Sequence, residues 1–187
     1  MIIKTGRFGD LNISNEEILR IPLGILGFPD LIDYVLVDPA DDTLILWLQS
    51  LQEPGIAFPV LEPKIFRPDY SVNLSGNDQR ELGLLSLKDN ATVLTILTIP
   101  ALITEMTANL KAPLVINLNQ RIAKQVVLQE NEYQLRHPMF RELKTHLMTI
   151  QSQVRKTQPL KAAALATAVG ISKLEPYTKL KGIQLEA

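Results

Sequence analysis

Cysteine is absent from the 187-residue chain, and only two histidines, one tryptophan and 5% aromatic residues are present. Without cysteine there is no disulfide, no thiol chemistry and no thiolate metal ligand, which fits a reducing cytoplasm. The two histidines, His137 and His146, are nine residues apart, a spacing that does not bring them onto one helix face. A metal or catalytic role needs histidine or carboxylate partners at fixed spacing, and the sequence offers none. We therefore expect no catalytic, metal or cofactor site.

Long apolar runs are also missing. No uninterrupted run approaches the roughly 20 residues that a membrane-spanning helix requires. The opening residues, MIIKTGRFGD, lack the basic-then-apolar layout of a signal peptide. Phosphate-binding glycine loops, dinucleotide fingerprints and nucleophile elbows do not occur either. The sequence predicts a cytoplasmic protein that is not an enzyme and does not engage a membrane.

The strongest pattern that is present runs from Thr92 to Leu128. The β-branched stretch Thr92–Ile99 predicts a strand covered on both faces, and Pro100 ends it because proline has no N–H for a sheet ladder. Three more strands are predicted at residues 104–110, 113–118 and 123–128. Their short connections allow only antiparallel pairing, since a parallel crossover needs about a dozen residues or more.

The preceding residues predict further short strands and one minor helix. Ile2–Thr5 and Asp10–Ile13 form a predicted hairpin, and Pro59 suggests that its strand is an edge or contains a bulge. Ser75 or Asn77 can cap a helix that Gly83 ends. The other predicted strands are residues 43–51 and 56–61, whereas residues 18–21 are a short apolar segment and residues 34–37 alternate poorly and are expected to be buried. Together these elements predict a mainly β fold, a small antiparallel β-barrel-like domain with one minor internal helix.

After Tyr133 the periodicity changes from strand to helix. Apolar residues recur every three or four positions at Phe140, Leu143, Leu147, Ile150 and Val154, which predicts an α-helical C-terminal extension. Lys161–Val169 is alanine-rich and predicts a second helix, whereas Glu175–Ala187 is expected to be loose. The stripe is compatible with packing on the barrel, with binding a partner or second copy, and with touching a membrane surface. We predict two domains, a barrel of residues 1–138 and a helical, basic extension of residues 139–187.

Charge is divided unevenly between these parts. Residues 1–143 contain 12 Lys and Arg against 18 Asp and Glu, and residues 144–187 contain seven against two. Eight acids and one base lie between residues 10 and 42, with Asp38, Asp41 and Asp42 the densest group. This run is either a solvated face or a surface that steers a basic partner. An acidic body argues against direct binding of nucleic acid, whose phosphates need positive charge.

Two asparagines, Asn109 and Asn117, flank the apolar block around Pro113. Asparagine in a strand-rich stretch usually makes a backbone hydrogen bond at a turn or bulge. Direct contact with a partner is the other interpretation. Asn109 and Asn117 therefore join Asp38, Asp41 and Asp42 as candidate partner-binding residues.

Several blocks of sequence occur in an order that resembles the FliW family of bacterial flagellar assembly factors. An N-L-x-A-P-x-x-x-N block is followed by a K-Q-V-x-L strand and a tyrosine, and FGDLNIS, GILGF and PKIFRPDY precede them in the same order. The matching residues are Asn109, Leu110, Ala112, Pro113, Asn117, Lys124, Gln125, Val126, Leu128 and Tyr133. The likeness spans roughly residues 1–138, whereas the C-terminal extension departs from the compact family pattern.

This resemblance implies a small β-barrel-like protein that is not an enzyme. Family members bind flagellin in the cytoplasm, and they also bind CsrA, a translational repressor that no longer represses flagellin translation when it is bound. The resemblance thus implies flagellin and CsrA as partners, with a monomer expected in their absence. An alternative is a small barrel that binds single-stranded nucleic acid, for which few aromatic residues and an acidic body are poorly suited.

Overall fold

Short strands dominate the fold. The computed structural model describes residues 1–39, 44–85, 90–129, 132–157 and 183–184, and within them it contains twelve strands and two α-helices. The strands are β1 (Ile2–Thr5), β2 (Gly9–Asn12), β3 (Leu19–Arg20), β4 (Asp33–Asp38), β5 (Leu46–Ser50), β6 (Ala57–Leu61), β7 (Ala91–Thr98), β8 (Thr107–Ala108), β9 (Leu114–Asn117), β10 (Ile122–Gln125), β11 (His137–Pro138) and β12 (Ile183–Gln184). The α-helices are α1 (Gly76–Leu82) and α2 (Phe140–Thr157), and 3-10 turns lie at Asn15–Glu17, Pro63–Ile65 and Ile103–Glu105.

Seven strands close into a barrel in the order β7-β6-β5-β4-β3-β10-β9, because β9 pairs back onto β7. Six of the seven pairings are antiparallel, and the seventh joins β3 to β10 in parallel, with Ile122 opposite Arg20. The antiparallel pairing of β7 with β9 and of β9 with β10 confirms the arrangement that the short connections predict. The mainly β, barrel-like fold with one minor internal helix and a C-terminal helix is confirmed.

Alternate residues of each strand face the inside and the outside of the barrel. In β9, Leu114 and Ile116 lie in the inner core, whereas Val115 packs outward under α1 and the segments around it. In β4, Val35 and Val37 pack outward under the β1–β2 hairpin. Both faces of these strands are therefore covered, which explains their continuous apolar sequences.

The internal helix α1 is capped by Ser75, one of the two predicted N-caps, and ends at Gly83 as predicted. The Ser75 hydroxyl accepts a hydrogen bond from the Asp78 N–H at 3.1 Å, and the Asp78 carboxylate accepts one from the Ser75 N–H at 3.1 Å. This reciprocal pair is a capping box. Gly83 follows the helix with φ of 62°, the left-handed conformation that glycine adopts most easily.

Three segments differ from the sequence-based expectation. Pro59 lies in β6, a strand with neighbours on both sides, but the register with β7 begins only at Val60, so the proline needs to donate no hydrogen bond on that side. The predicted strand of residues 104–110 is reduced to β8, because the 3-10 turn Ile103–Glu105 precedes it. Ile183 and Gln184, expected to be loose, pair with β4.

The C-terminal helix α2 begins at Phe140, as its apolar periodicity predicts. Its start is attached to the barrel: the Met139 N–H, just before the helix, donates to the Met106 carbonyl at 3.3 Å, and Leu143 packs against the outer cluster that also contains Leu82 of α1. The predicted helix Lys161–Val169 lies outside the described residues.

Candidate partner-binding surface

Asp38 ends β4 and is half-buried at one end of the barrel. The Cα positions of Val37 and Trp47 are in register across β4 and β5, so Asp38 follows directly on a packed part of the wall. Asp41 and Asp42 lie outside the described residues. Of the three candidate acids the structure therefore positions Asp38 alone. A role of these acids in partner binding stays a proposal.

A basic residue lies next to this end of β4. The Arg7 guanidinium carbon is 3.7 Å from the centroid of the Trp47 ring, and Phe8 contacts the same ring edge-on at 6.0 Å. A cation over an indole face is held by the ring quadrupole as well as by packing. Because Trp47 is opposite Val37 and packs with it, this cation lies over the outer face of the sheet at this end of β4.

Asn117 is a buried fastening point for α1. Its side-chain amide donates to the carbonyls of Leu82 and Gly83 at 2.9 and 3.3 Å. Its side-chain oxygen accepts from the N–H groups of Asn119 and Gln120 at 3.0 and 3.1 Å. All four partners are backbone groups at a helix end or a turn, which is the backbone role that the sequence favours for this asparagine.

Asn109 has a smaller role of the same kind. Its side-chain oxygen accepts from the Ala112 N–H at 2.9 Å and thereby closes the turn before Pro113. Its own carbonyl accepts from the Thr95 hydroxyl at 2.6 Å. Asn109 and Asn117 are thus not brought together with Asp38 into one cluster: they fasten turns, whereas Asp38 lies at the end of β4.

Lys124 connects β10 to α1 through two carboxylates. Its ammonium group is 2.7 Å from the Asp78 carboxylate and 2.5 Å from that of Glu81. Burial alone lowers the pKa of Lys124, but the hydrogen bonds to Asp78 and Glu81 outweigh burial and raise it. Burial likewise raises the pKa of Asp78, and the hydrogen bonds from Lys124 and Ser75 outweigh that effect and lower it. The pKa of Glu81 is lowered by hydrogen bonds from Lys124 and Asn77.

Two exposed leucines on the GILGF segment and its flank were not singled out from the sequence. Leu23 and Leu26 are 65% and 63% exposed, and Gly24 between them has φ of +64°. The loop is held in place because the Gln125 side chain accepts from the Leu26 N–H at 2.8 Å and donates to the Ala112 carbonyl at 3.0 Å. Glycine spacing identified the turn, but only the structure shows that these leucines point away from the core.

His137 serves as an attachment point for α2. Its Nε2 atom is 3.0 Å from the Glu142 carboxylate, and its ring stacks on Phe66 with centroids 6.3 Å apart. Among the described residues there is no group of three or more His, Asp or Glu side chains that could hold a metal ion. None of the helices in that part of the chain is long and apolar enough to cross a membrane.

A closed seven-stranded barrel in which polar side chains hold loops and helices in place belongs to the class of small β-barrel proteins. Comparison with known families identifies which one. Residues 2–139 match the family described as FliW protein, and the chain belongs to that family.

Individual relatives agree with this assignment. The chain is 44% identical over 158 residues to a flagellar assembly factor FliW of Bdellovibrio bacteriovorus, covering 84% of this chain and 90% of that protein. It is 37% identical to the flagellar assembly factor FliW of Alkaliphilus metalliredigens over 160 residues, 85% of this chain and 96% of that one. A crystal structure of the flagellar assembly factor FliW superposes with a TM-score of 0.70 at 34% identity, covering 75% of this chain and 97% of the other. These findings confirm the family that the sequence blocks indicate.

Proposed function

We propose that this protein is a cytoplasmic, non-enzymatic regulator that binds flagellin and the translational repressor CsrA. In this proposal flagellin and CsrA compete for a limited amount of the protein. When flagellin is exported, the released protein binds CsrA and flagellin translation resumes. The protein is a monomer when neither partner is bound.

The observation that carries the proposal is the family match over residues 2–139, in which relatives are named flagellar assembly factors. The excess of acidic residues in 1–143 supports the CsrA part, because a repressor that binds RNA carries a basic surface. We further propose that residues 1–138 form the partner-binding barrel and that residues 139–187 are a separate extension.

The test is a mass determination by light scattering of the full chain, alone and mixed with purified CsrA or flagellin from the same cell. We expect a monomer alone and a defined complex with each partner. A three-component mixture should contain the two binary complexes, with flagellin lowering the amount of CsrA complex. Failure to bind either protein would refute the proposed function, whereas simultaneous binding of both would refute competition alone.

A further inference from the structure

The outer edge of β4 is covered by β3 over only part of its length. Leu19 and Arg20 pair with Tyr34 and Asp33, and the pairing goes no further along β4. The reason lies just before β3, where the Ser14 N–H donates to the Glu17 carboxylate at 2.7 Å and a capping box starts a 3-10 turn. That turn takes the chain away from β4.

A distant part of the chain pairs with the end of β4 that β3 does not reach. Ile183 and Gln184 form β12, which lies parallel to β4 with Ile183 opposite Val37 and Gln184 opposite Asp38. The chain reaches this position from the end of α2 at Thr157. The C-terminal extension is therefore in contact with the barrel at two places, the start of α2 and the end of β4.

Two matched residue pairs make a weak attachment by themselves. Strands that join sheets stably are usually longer, and a parallel pair is slightly less stable per residue than an antiparallel one. A segment of the same chain still competes well, because its binding is intramolecular and its effective concentration is of about millimolar order. β12 is thus placed to occupy the edge and to be displaced from it.

The charge of the extension complements that of the barrel. Residues 144–187 carry seven basic and two acidic side chains, and the residues before them carry an excess of acid. β12 adjoins β4 at Asp38, the first of the three acids in the densest part of the acidic run. β12 belongs to this basic part of the chain, whose net charge has the sign that a basic partner would bring to the acidic barrel.

We propose that the outer edge of β4 at Val37 and Asp38 is a strand-addition site. In the free protein the site is occupied by the chain's own Ile183 and Gln184, and in a complex it is occupied by an extended segment of a basic partner protein. Main-chain hydrogen bonds to the sheet edge supply the affinity, as in other cases of β-strand addition. The C-terminal extension is then an internal competitor that sets the threshold for partner binding. The identity of the basic partner rests on the proposed function, with CsrA as its candidate.

The absence of native cysteine allows a direct test with an engineered disulfide in the full chain. Asp38→Cys combined with Gln184→Cys places two thiols on residues whose Cα positions are in register, and neighbouring strands are about 4.8 Å apart, within the range that disulfides span. The control is Asp30→Cys combined with Gln184→Cys. It makes the same change of charge but places the first thiol before β4, at the other end of the strand.

With oxidised glutathione as the oxidant and no partner present, we expect the 38–184 pair to cross-link and the 30–184 pair to remain reduced. Equal cross-linking of the two pairs, or none in either, would overturn the assignment of the site. This arm does not depend on any partner.

The second arm measures CsrA binding at low ionic strength to the oxidised and the reduced forms of the 38–184 variant. We expect association to the reduced form to be roughly tenfold faster, because the site opens only when β12 can leave. Equal rates would overturn the competition while the proposed function stands. If neither form nor the unmodified protein binds CsrA, the proposed function fails and the competition fails with it.

Discussion

At the scale of single residues, Asn117 and Asn109 lie in the same block of sequence but differ in how many backbone groups they bind and in how deeply they are buried. Asn117 makes four hydrogen bonds to backbone groups and is 2% exposed, whereas the Asn109 side chain makes one and is half-buried. A buried backbone group that loses its partner costs more than the bond itself contributed. The two residues should therefore differ in their effect on stability.

Asn117→Ala should lower the free energy of unfolding by about 3 kcal/mol, and Asn109→Ala by about 1 kcal/mol. The larger loss follows because both the end of α1 and the following turn lose their partners. Urea titration followed by circular dichroism measures both values, with the two variants serving as controls for each other. Equal losses would show that Asn117 is not the fastening point of α1.

Tyr34 provides a prediction that depends on pH. Its side chain lies inside the barrel with no exposed surface, and burial raises the pKa of its phenol to about 12. The unfolded chain loses this proton near pH 10, so between about pH 10 and 12 the native state binds more protons than the unfolded state. The free energy of unfolding should consequently fall with pH across that window and be unaffected by this group below it.

Tyr34→Phe is the matched variant, because it removes only the hydroxyl. The wild type should lose stability relative to this variant as the pH rises from about 10 to 12, with the slope of about one proton. Urea unfolding of both proteins at several pH values gives the difference directly and cancels the titration of other groups. A constant difference across the window would contradict the raised pKa.

At the scale of elements, the attachment of α1 to β10 depends on Lys124, Asp78 and Glu81. Lys124→Met keeps much of the aliphatic stem and removes the charge, and at pH 7 it should cost about 1 kcal/mol through the Asp78 pair. Because both carboxylates have a lowered pKa, the stability they contribute is present above about pH 4 to 5 and is lost as the pH falls below that.

The stability difference between wild type and Lys124→Met should therefore shrink from pH 7 towards pH 3. Arg80→Met, a change on the same helix, removes a charge that hydrogen-bonds within the helix to Asn77, its one side-chain partner among the described residues, and serves as the control. Urea denaturation at pH 7, 5 and 3 measures the effect. A difference that is independent of pH would mean that Lys124 contributes by packing alone.

Elements with a strong local signal were predictable, and those that depend on distant partners were not. The limits of α1 follow from Ser75 and Gly83, and the strand β7 follows from its β-branched run. By contrast, the parallel pairing of Ile122 with Arg20 joins segments about a hundred residues apart, and no local pattern encodes such a contact. The same holds for β12, whose two residues have no strand signal until β4 is beside them.

Of the candidate site, the sequence indicated the asparagines through their chemistry but did not identify their partners. That an asparagine near Pro113 meets backbone groups follows from its short amide side chain. That Asn117 meets the carbonyls at the end of α1, 34 and 35 residues earlier, depends on how the helix lies across the barrel wall. Which surfaces meet flagellin and CsrA stays a prediction.

At the scale of the whole molecule, the acidic run is expected to influence how fast a basic partner arrives. The triple change Asp38→Asn, Asp41→Asn, Asp42→Asn should slow association with CsrA severalfold at low ionic strength and leave dissociation nearly unchanged. The effect should fade near physiological salt, where the screening length is about 8 Å. Stopped-flow kinetics at several salt concentrations gives both rates.

A control with the same change in net charge separates local from overall electrostatics. Glu53→Gln, Glu105→Gln, Glu132→Gln alters three exposed acids on the described surface outside residues 10–42. The control should slow association much less, and flagellin binding should respond less than CsrA binding if it depends on apolar contact. Equal slowing by both triple variants would show that only the net charge affects the association rate. No slowing by either would show that Asp38, Asp41 and Asp42 form a solvated turn with no role in association.

The parallel pairing of β3 with β10 also sets an order of events during synthesis. The barrel can close only after Ile122–Gln125 have been made, and Ile183 and Gln184 come 58 residues later. At about 5–20 residues per second, the ribosome needs about 3–12 s for that interval. A nascent chain therefore passes through a period in which the residues that close its barrel have been synthesised but those that cover the end of β4 have not. During this interval the end of β4 on a nascent chain lacks the strand β12 that covers it in the finished protein.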